Sequence, residues 1–261
     1  MITAASNSRI KRLVQLNQKS KLRRTEDVFL AEGVKMFLEA PREQLQEVYV
    51  SESFLEKCSC REHLEEVGYE VVSDSVFSKI SDTCTPQGVL CVLKQFHYNI
   101  EEMLRDKAPL FLLLENIQDP GNLGTMLRTG EGAGVSGIIM SRDTVDLYNP
   151  KVIRSTMGSI YRVPFYYADD FAAAVHQVQQ AGVSVYAAHL RGKNSYACQD
   201  YTKGTAFLIG NEGNGLREET AELADCYIRI PMEGKVESLN AAVASSIRMY
   251  EAHRQRATLE K

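Results

Sequence analysis

Leu110-Phe111-Leu112-Leu113-Leu114 is an unbroken apolar run of five residues between Pro109 and Glu115. So short a run without polar alternation fits a strand buried on both faces, as in a parallel sheet covered by helices. Comparable runs recur at 137–140, 163–167, 183–188, 206–209 and 226–230. Helical patterns such as 170–181 and 217–224 lie between most of them. Alternating strands and helices predict an α/β domain built on a parallel sheet, with ligands bound beyond the carboxyl ends of its strands.

Three polar loops follow such strands. The first, ENIQDPGNLGTMLRT (115–129), has a turn at Asp119-Pro120-Gly121, Asn122 as a helix cap and Arg128 two turns inside the helix. The second, IGNEGNGLREE (209–219), holds Glu212 among Gly210, Gly213 and Gly215, where bare backbone approaches a ligand closely. In the third, IPMEGKVESLNAAVASSIRMYE (230–251), Pro231 ends a strand and Ser238 stands where a helix N-cap is expected. Leu239, Val243, Ile247 and Tyr250 form the helix's apolar stripe, with alanine and serine around it. A strand–loop–helix ending with free N–H groups is a natural ligand cradle.

Residues 1–97 read as a separate small α/β unit, and 98–108 as a connector with a charged helical turn. Expected strands lie at 28–31, 47–50, 69–72 and 89–93, with helices at 34–40, 54–67 and 76–80 and one capped by Ser6-Asn7-Ser8. The net charge of −4 argues against a uniformly basic nucleic-acid surface. Yet seven basic residues precede the first acid, Glu26: Arg9, Lys11, Arg12, Lys19, Lys21, Arg23 and Arg24. Such a block either contacts phosphates or forms a solvated helix face. Lys151, Arg154 and Ser155 likewise either face a nucleic acid or belong to a capped helix.

Other chemistries find little support. Gly132-Ala133-Gly134-Val135-Ser136-Gly137 matches GxGxxG but ends a helix and enters a strand, the reverse of the dinucleotide fingerprint. No GxxxxGK[ST] loop occurs. The six cysteines are scattered and only Cys58 and Cys60 are close, so free thiols in a reducing cytoplasm and no metal are expected. No apolar run is long enough to span a membrane, and the first residues lack the apolar centre of a secretory signal.

With these loops in hand, the chain resembles the SpoU (TrmH-type) branch of the SPOUT RNA methyltransferases. The family's three motifs look like residues 116–129, 209–216 and 230–243, in the right order; the resemblance spans 109 to about 252. Residues 1–97 resemble the L30e-like substrate-binding domain of several members, through FLAEG at 29–33 and TPQGVL at 85–90. The resemblance implies a parallel-sheet α/β domain, 109–261, closed by a trefoil knot. It further implies S-adenosylmethionine as cofactor, a homodimer packed through the knotted domains, and methyl transfer to a ribose 2′-hydroxyl of RNA. By motif position, Asn122, Arg128, Glu212, Ser238 and Asn240 match the family's functional residues. Gly210, Ile230, Met232, Ser238 and Leu239 are the implied cofactor contacts. Arg9, Lys11, Arg12, Lys21, Arg23 and Arg24 are the expected RNA contacts.

The family's proposed base is Arg128, but a guanidinium keeps its charge at neutral pH. Either Arg128 relays a proton within a low-dielectric site, or it grips a phosphate and stabilises the developing alkoxide; the second is favoured on chemical grounds. The L30e-like domain favours ribosomal over transfer RNA as substrate. A transfer-RNA enzyme, or a non-enzymatic RNA-binding or ribosome-assembly factor on the same scaffold, is the alternative.

Overall fold

The computed structural model describes residues 1–259. The chain opens with α1 (Ser8–Gln18) and α2 (Ser20–Glu26), followed by β1 (Val28–Glu32), α3 (Val34–Leu38) and β2 (Leu45–Ser51). Then come α4 (Glu52–Lys57), α5 (Arg61–Val67), β3 (Glu70–Val72), α6 (Asp74–Ile80) and β4 (Val89–Lys94). Asn7 caps α1, its side chain accepting from the Arg9 N–H at 2.9 Å. The single helix expected over 54–67 is two, parted at Cys58-Ser59-Cys60, residues of low helix propensity. Part of the amino-terminal basic block forms helix α2.

The chain continues through α7 (Ile100–Met103), β5 (Leu110–Leu114), α8 (Pro120–Ala133), β6 (Gly137–Ser141), α9 (Pro150–Thr156), β7 (Phe165–Ala168) and α10 (Phe171–Gln180). β8 (Ser184–Ala188), β9 (Asn194–Ser195), β10 (Thr205–Ile209), α11 (Glu218–Ala221), β11 (Cys226–Arg229) and α12 (Ala241–Leu259) complete it. β7 starts at Phe165, later than expected, because Pro164 has no N–H for a ladder. Gly134, in a left-handed conformation (φ 76°), caps the carboxyl end of α8, so the GxGxxG match is a helix stop.

Two compact units result: Met1–Phe96 with Asp146–Tyr161, and His97–Val145 with Arg162–Lys261. The first is a mixed sheet, ordered β1-β4-β2-β3, whose core gathers Ile10, Leu13 and Leu16 of α1 with Phe77 and Ile80 of α6. Residues 146–161, placed by the sequence reading in the later domain, join this unit. The Tyr148 ring lies 4.8 Å from Phe29, and the Tyr161 hydroxyl donates to Met36 O at 3.0 Å.

The second unit is a seven-stranded sheet, β7-β6-β5-β10-β8-β11-β9, whose paired strands are all parallel. Each residue of β5 and of the neighbouring β10 is buried, as strands covered on both faces require. Removing one such leucine or phenylalanine side chain from water contributes about 1.5–3 kcal/mol. The expected connector 98–108 supplies α7, whose Ile100 and Met103 are buried in this core.

α12 packs on α8 by a different face from the one expected. Val243 and Tyr250 are about half exposed, whereas Ala242, Ser245, Met249 and Ala252 are buried. Small residues let the helices approach closely, and Ser246 Oγ reaches Thr129 Oγ1 at 3.2 Å. Among the described residues no helix is long and apolar enough to cross a membrane, and no cluster of acids, histidines and cysteines is placed to hold a metal ion.

Candidate active site

Parallel register brings several strand ends to one edge. Leu114 of β5 pairs with Ile209 of β10, Leu208 with Ala187 of β8, and Ile228 of β11 with Ala188. The loops starting at Glu115, His189, Gly210 and Ile230 therefore leave the sheet side by side.

The loop after β10 is a tight turn held by Asn211. Its backbone exchanges two hydrogen bonds with Gly215, at 3.0 and 2.9 Å. Its Oδ1 accepts from the N–H groups of Gly213 and Asn214, and its Nδ2 donates to Asn116 O at 2.8 Å. A Cβ at Gly210 would meet Gly215 C and Leu216 N at 2.2 Å, so only glycine fits.

Glu212 reaches from this turn to the loop after β5. Its Oε1 accepts from the Asp119 N–H and from Asn122 Nδ2, both at 3.0 Å, and its Oε2 from the Gln118 N–H at 3.1 Å. Burial raises the carboxyl, but these hydrogen bonds outweigh it and hold Glu212 below the usual glutamate range. Asn122 in turn accepts at Oδ1 from Asn240 Nδ2 at 2.9 Å. Asn240 Oδ1 accepts from the N–H groups of Ala242 and Val243, so Asn240 is the N-cap of α12.

Two cap assignments are thereby corrected. Ser238 is exposed and does not cap α12, which begins three residues later. Asn122 does not cap α8: Asp119 does, accepting from the Asn122 N–H at 2.8 Å, with Pro120 at the first helical position where no N–H is needed. The freed Asn122 amide joins Glu212 to Asn240, so one residue from each of three loops forms one cluster.

Two cavities open beside the cluster. A cleft of about 840 Å³ is lined by Asn122, Glu212, Ser238 and Asn240 among others. A narrower pocket of about 290 Å³ adjoins it, lined by all five expected cofactor contacts, Gly210, Ile230, Met232, Ser238 and Leu239. Arg128 lines neither: it is exposed on α8, without a partner among the described residues. Six residues along a helix turn it about 120° from Asn122.

The amino-terminal basic block is only partly free. Arg23 is 3% exposed; its Nη1 donates to Leu16 O at 2.6 Å and to Asn17 O at 3.1 Å, and its Nη2 to Asp146 Oδ2 at 2.5 Å. It is a structural arginine, which corrects its assignment to RNA. Arg12 is held by Glu26 and Glu47, both at 2.7 Å, and Arg9 by Glu70 at 3.0 Å. Lys11, Lys21 and Arg24 are exposed. Arg154 pairs with Asp82 and Ser155 bonds back to Lys151 O, so that segment is a capped helix in its own unit.

Sequence reasoning missed three elements. Asn211, adjacent to Glu212 in the GNEGNG run, shapes the turn; its asparagine among glycines was the available signal. Glu115, 1% exposed, accepts from the Arg217 N–H at 2.8 Å and from Thr220 Oγ1 at 2.5 Å, fastening α11 beneath the loop. Arg248, within the small-residue helix α12, lines the narrower pocket.

A narrow pocket opening beside a wider polar cleft gives this α/β fold room for two ligands. This chain belongs to the SpoU rRNA Methylase family, whose model matches residues 109–250; an MRM3-like substrate binding domain matches residues 7–91. It is 32% identical to the 23S rRNA (guanosine(2553)-2'-O)-methyltransferase RlmP of Bacillus subtilis, over 95% of this chain and 97% of that protein. An AdoMet-bound rRNA methyltransferase from Sinorhizobium meliloti has a TM-score of 0.83 at 31% identity, covering 97% of each chain. The SpoU methyltransferase AviRb from Streptomyces viridochromogenes, in complex with AdoMet, has a TM-score of 0.87 at 26% identity, covering 97% of this chain and 99% of that one.

Proposed function

We propose that this chain transfers a methyl group from S-adenosylmethionine to a ribose 2′-hydroxyl of RNA, with ribosomal RNA as the substrate class. The observation that carries the reading is the Glu212–Asn122–Asn240 cluster at the junction of the two cavities. Family membership and the ribosomal-RNA names of its relatives support the substrate.

The narrower pocket fits the cofactor. Gly210 leaves backbone where no side chain fits, Ile209, Ile230, Met232 and Leu239 offer apolar surface, and one buried polar atom, Arg248 Nε, has no partner. Bound there, S-adenosylmethionine supplies an electrophilic methyl group. Gly210, Ile230, Met232, Ser238 and Leu239 hold it, and the wider cleft takes the ribose. Glu212 fixes the loop after β5 by accepting two backbone N–H groups, which sets the position of Asn122. Asn122 and Asn240 orient both loops and the ribose. Arg128 grips an RNA phosphate through its planar fork and stabilises the alkoxide as the hydroxyl proton passes to water.

A homodimer and a trefoil knot belong to the same reading. Arg128, Gly132 and Tyr250 share one exposed face of α8 and α12; a Cβ on Gly132 would lie 2.9 Å from the Tyr250 hydroxyl, and Val243 is also half exposed. Large apolar side chains beside a reactive arginine suit burial against a second copy. In the knot the C-terminal chain is tucked through a loop of the same domain. Six free cysteines accord with a cytoplasmic enzyme. Exposed Lys11, Lys21 and Arg24 draw the RNA by its phosphates, and single-stranded loops or bulges present the target.

The alternative, an RNA-binding factor without catalysis, is separated by calorimetry. Saturable one-site binding of S-adenosylmethionine is expected; its absence overturns the enzymatic reading.

A further inference from the structure

We propose that Arg248 recognises the carboxylate of the bound cofactor, and so sets the specificity of the narrower pocket. The inference rests on the cofactor reading above and extends it to a residue outside the three motifs.

Arg248 is 5% exposed, on the stretch of α12 that lines the pocket with Ala244. Its Nη1 donates to Ala244 O at 2.9 Å, one turn back in the same helix, a bond that ties α12 to nothing else. Its Nε is buried with no partner. Among the described residues it has no ion pair. Burial pushes the guanidinium down to about 10, against opposing effects of Tyr201 and Tyr196, so it remains charged at neutral pH.

A buried cation without an anion is costly, and folded chains pair it. Arg23 is equally buried and also leaves Nε unpaired, yet it has Asp146 and two carbonyls. Arg248 has only its own helix. The pocket's acids, Glu212 and Glu237, lie in other loops, and Glu212 is occupied by amides. The missing anion must then come from the ligand.

The chemistry of the ligand selects which group. A sulfonium and an ammonium are both repelled by a guanidinium, and a neutral adenosine gives it no charge to meet. The carboxylate is the cofactor's one anion, and its two oxygens match the arginine fork.

The test is calorimetry with S-adenosylhomocysteine and its decarboxylated analogue, 5′-(3-aminopropyl)thio-5′-deoxyadenosine, which keeps base, ribose, sulfur and amine. Wild-type protein is expected to favour the carboxylate-bearing ligand by about tenfold to a hundredfold, the range of a charge-assisted hydrogen bond. Arg248→Met is expected to bring the two within about threefold by weakening S-adenosylhomocysteine alone. Should methionine disturb the fold, seen as loss of both ligands, Arg248→Gln makes the same comparison with a polar, uncharged side chain of similar helix propensity. Equal wild-type affinities, or an unchanged preference in a folded variant, overturn the proposal. Wild-type protein that binds neither ligand overturns the cofactor reading as well.

Discussion

Asn240 Nδ2 donates to Asn122 Oδ1 at 2.9 Å across 118 residues of sequence, while Asn240 Oδ1 caps the helix that Asn240 precedes. One amide therefore does two things: its oxygen starts α12 and its nitrogen fastens that start to α8. Asn240→Asp keeps the cap but loses the donor, and sets a carboxylate near Glu212. Asn240→Ala loses both, costing about 1 kcal/mol for the cap and about 1–3 kcal/mol for the buried acceptor left on Asn122. Thermal melts are expected to rank wild type above Asp above Ala, with methyl transfer low in both variants. Full activity in Asn240→Asp would separate the amide bridge from catalysis.

Glu212 predicts a pH dependence of stability. Its carboxyl is held low in the folded chain, so the unfolded chain, near about 4.3, takes up the proton at higher pH. The stabilising contribution is complete above the ordinary glutamate range and is lost as pH falls through the folded value. Urea midpoints followed from pH 7 to pH 3 should fall more for wild type than for Glu212→Gln. Parallel pH profiles would contradict the hydrogen-bond account.

The basic block divides by burial. Arg23→Leu removes the partner of Asp146 and of two carbonyls, and should destabilise by about 3–5 kcal/mol, as breaking a buried pair does. Lys21→Glu with Arg24→Glu should leave the melting temperature within a few degrees while weakening RNA binding and flattening its salt dependence. Filter binding across a salt series reads this; an unchanged affinity means the exposed part of the block is a solvated helix face.

Gly210→Ala tests the turn. Its Cβ would fall 2.2 Å from backbone atoms of Gly215 and Leu216, which no side-chain rotation relieves. The turn must open, displacing Glu212 from Asp119 and Asn122. Cofactor binding should drop at least tenfold, whereas Gly213→Ala, where a Cβ meets only Asn211 Oδ1 at 3.6 Å, should retain it. Similar losses in both variants would show that loop flexibility, and not this close approach, governs binding.

How far the sequence reveals this structure depends on the kind of signal. Leu110–Leu114 announces a doubly buried strand because apolar runs need no partner to be read, and the parallel sheet follows from their recurrence. Glu212, Asn122 and Asn240 are legible as loop residues, yet their mutual bonds depend on strand register that no local pattern encodes. Tyr250 and Val243 mislead because periodicity marks an apolar face without saying whether that face meets the chain's own core. Arg23 misleads for the converse reason: charge suggests solvent, but its burial depends on Asp146, 123 residues away. Ser238 looks like a cap by residue type, but α12 starts at Ala241 and Asn240 Oδ1 accepts from its first-turn N–H groups.

Methyl transfer to a ribose oxygen, with Arg128 acting on that oxygen, is the activity proposed for this site. Its most direct test is transfer of labelled methyl from S-adenosylmethionine to large-subunit, small-subunit and transfer RNA, by wild type, Arg128→Ala and Arg128→Lys, with nucleoside analysis of the product. Label is expected in a 2′-O-methyl nucleoside of ribosomal RNA, with a fall of about 10²–10³-fold in both variants and unchanged cofactor affinity. Label on a base, or near-native turnover in Arg128→Ala, would contradict it.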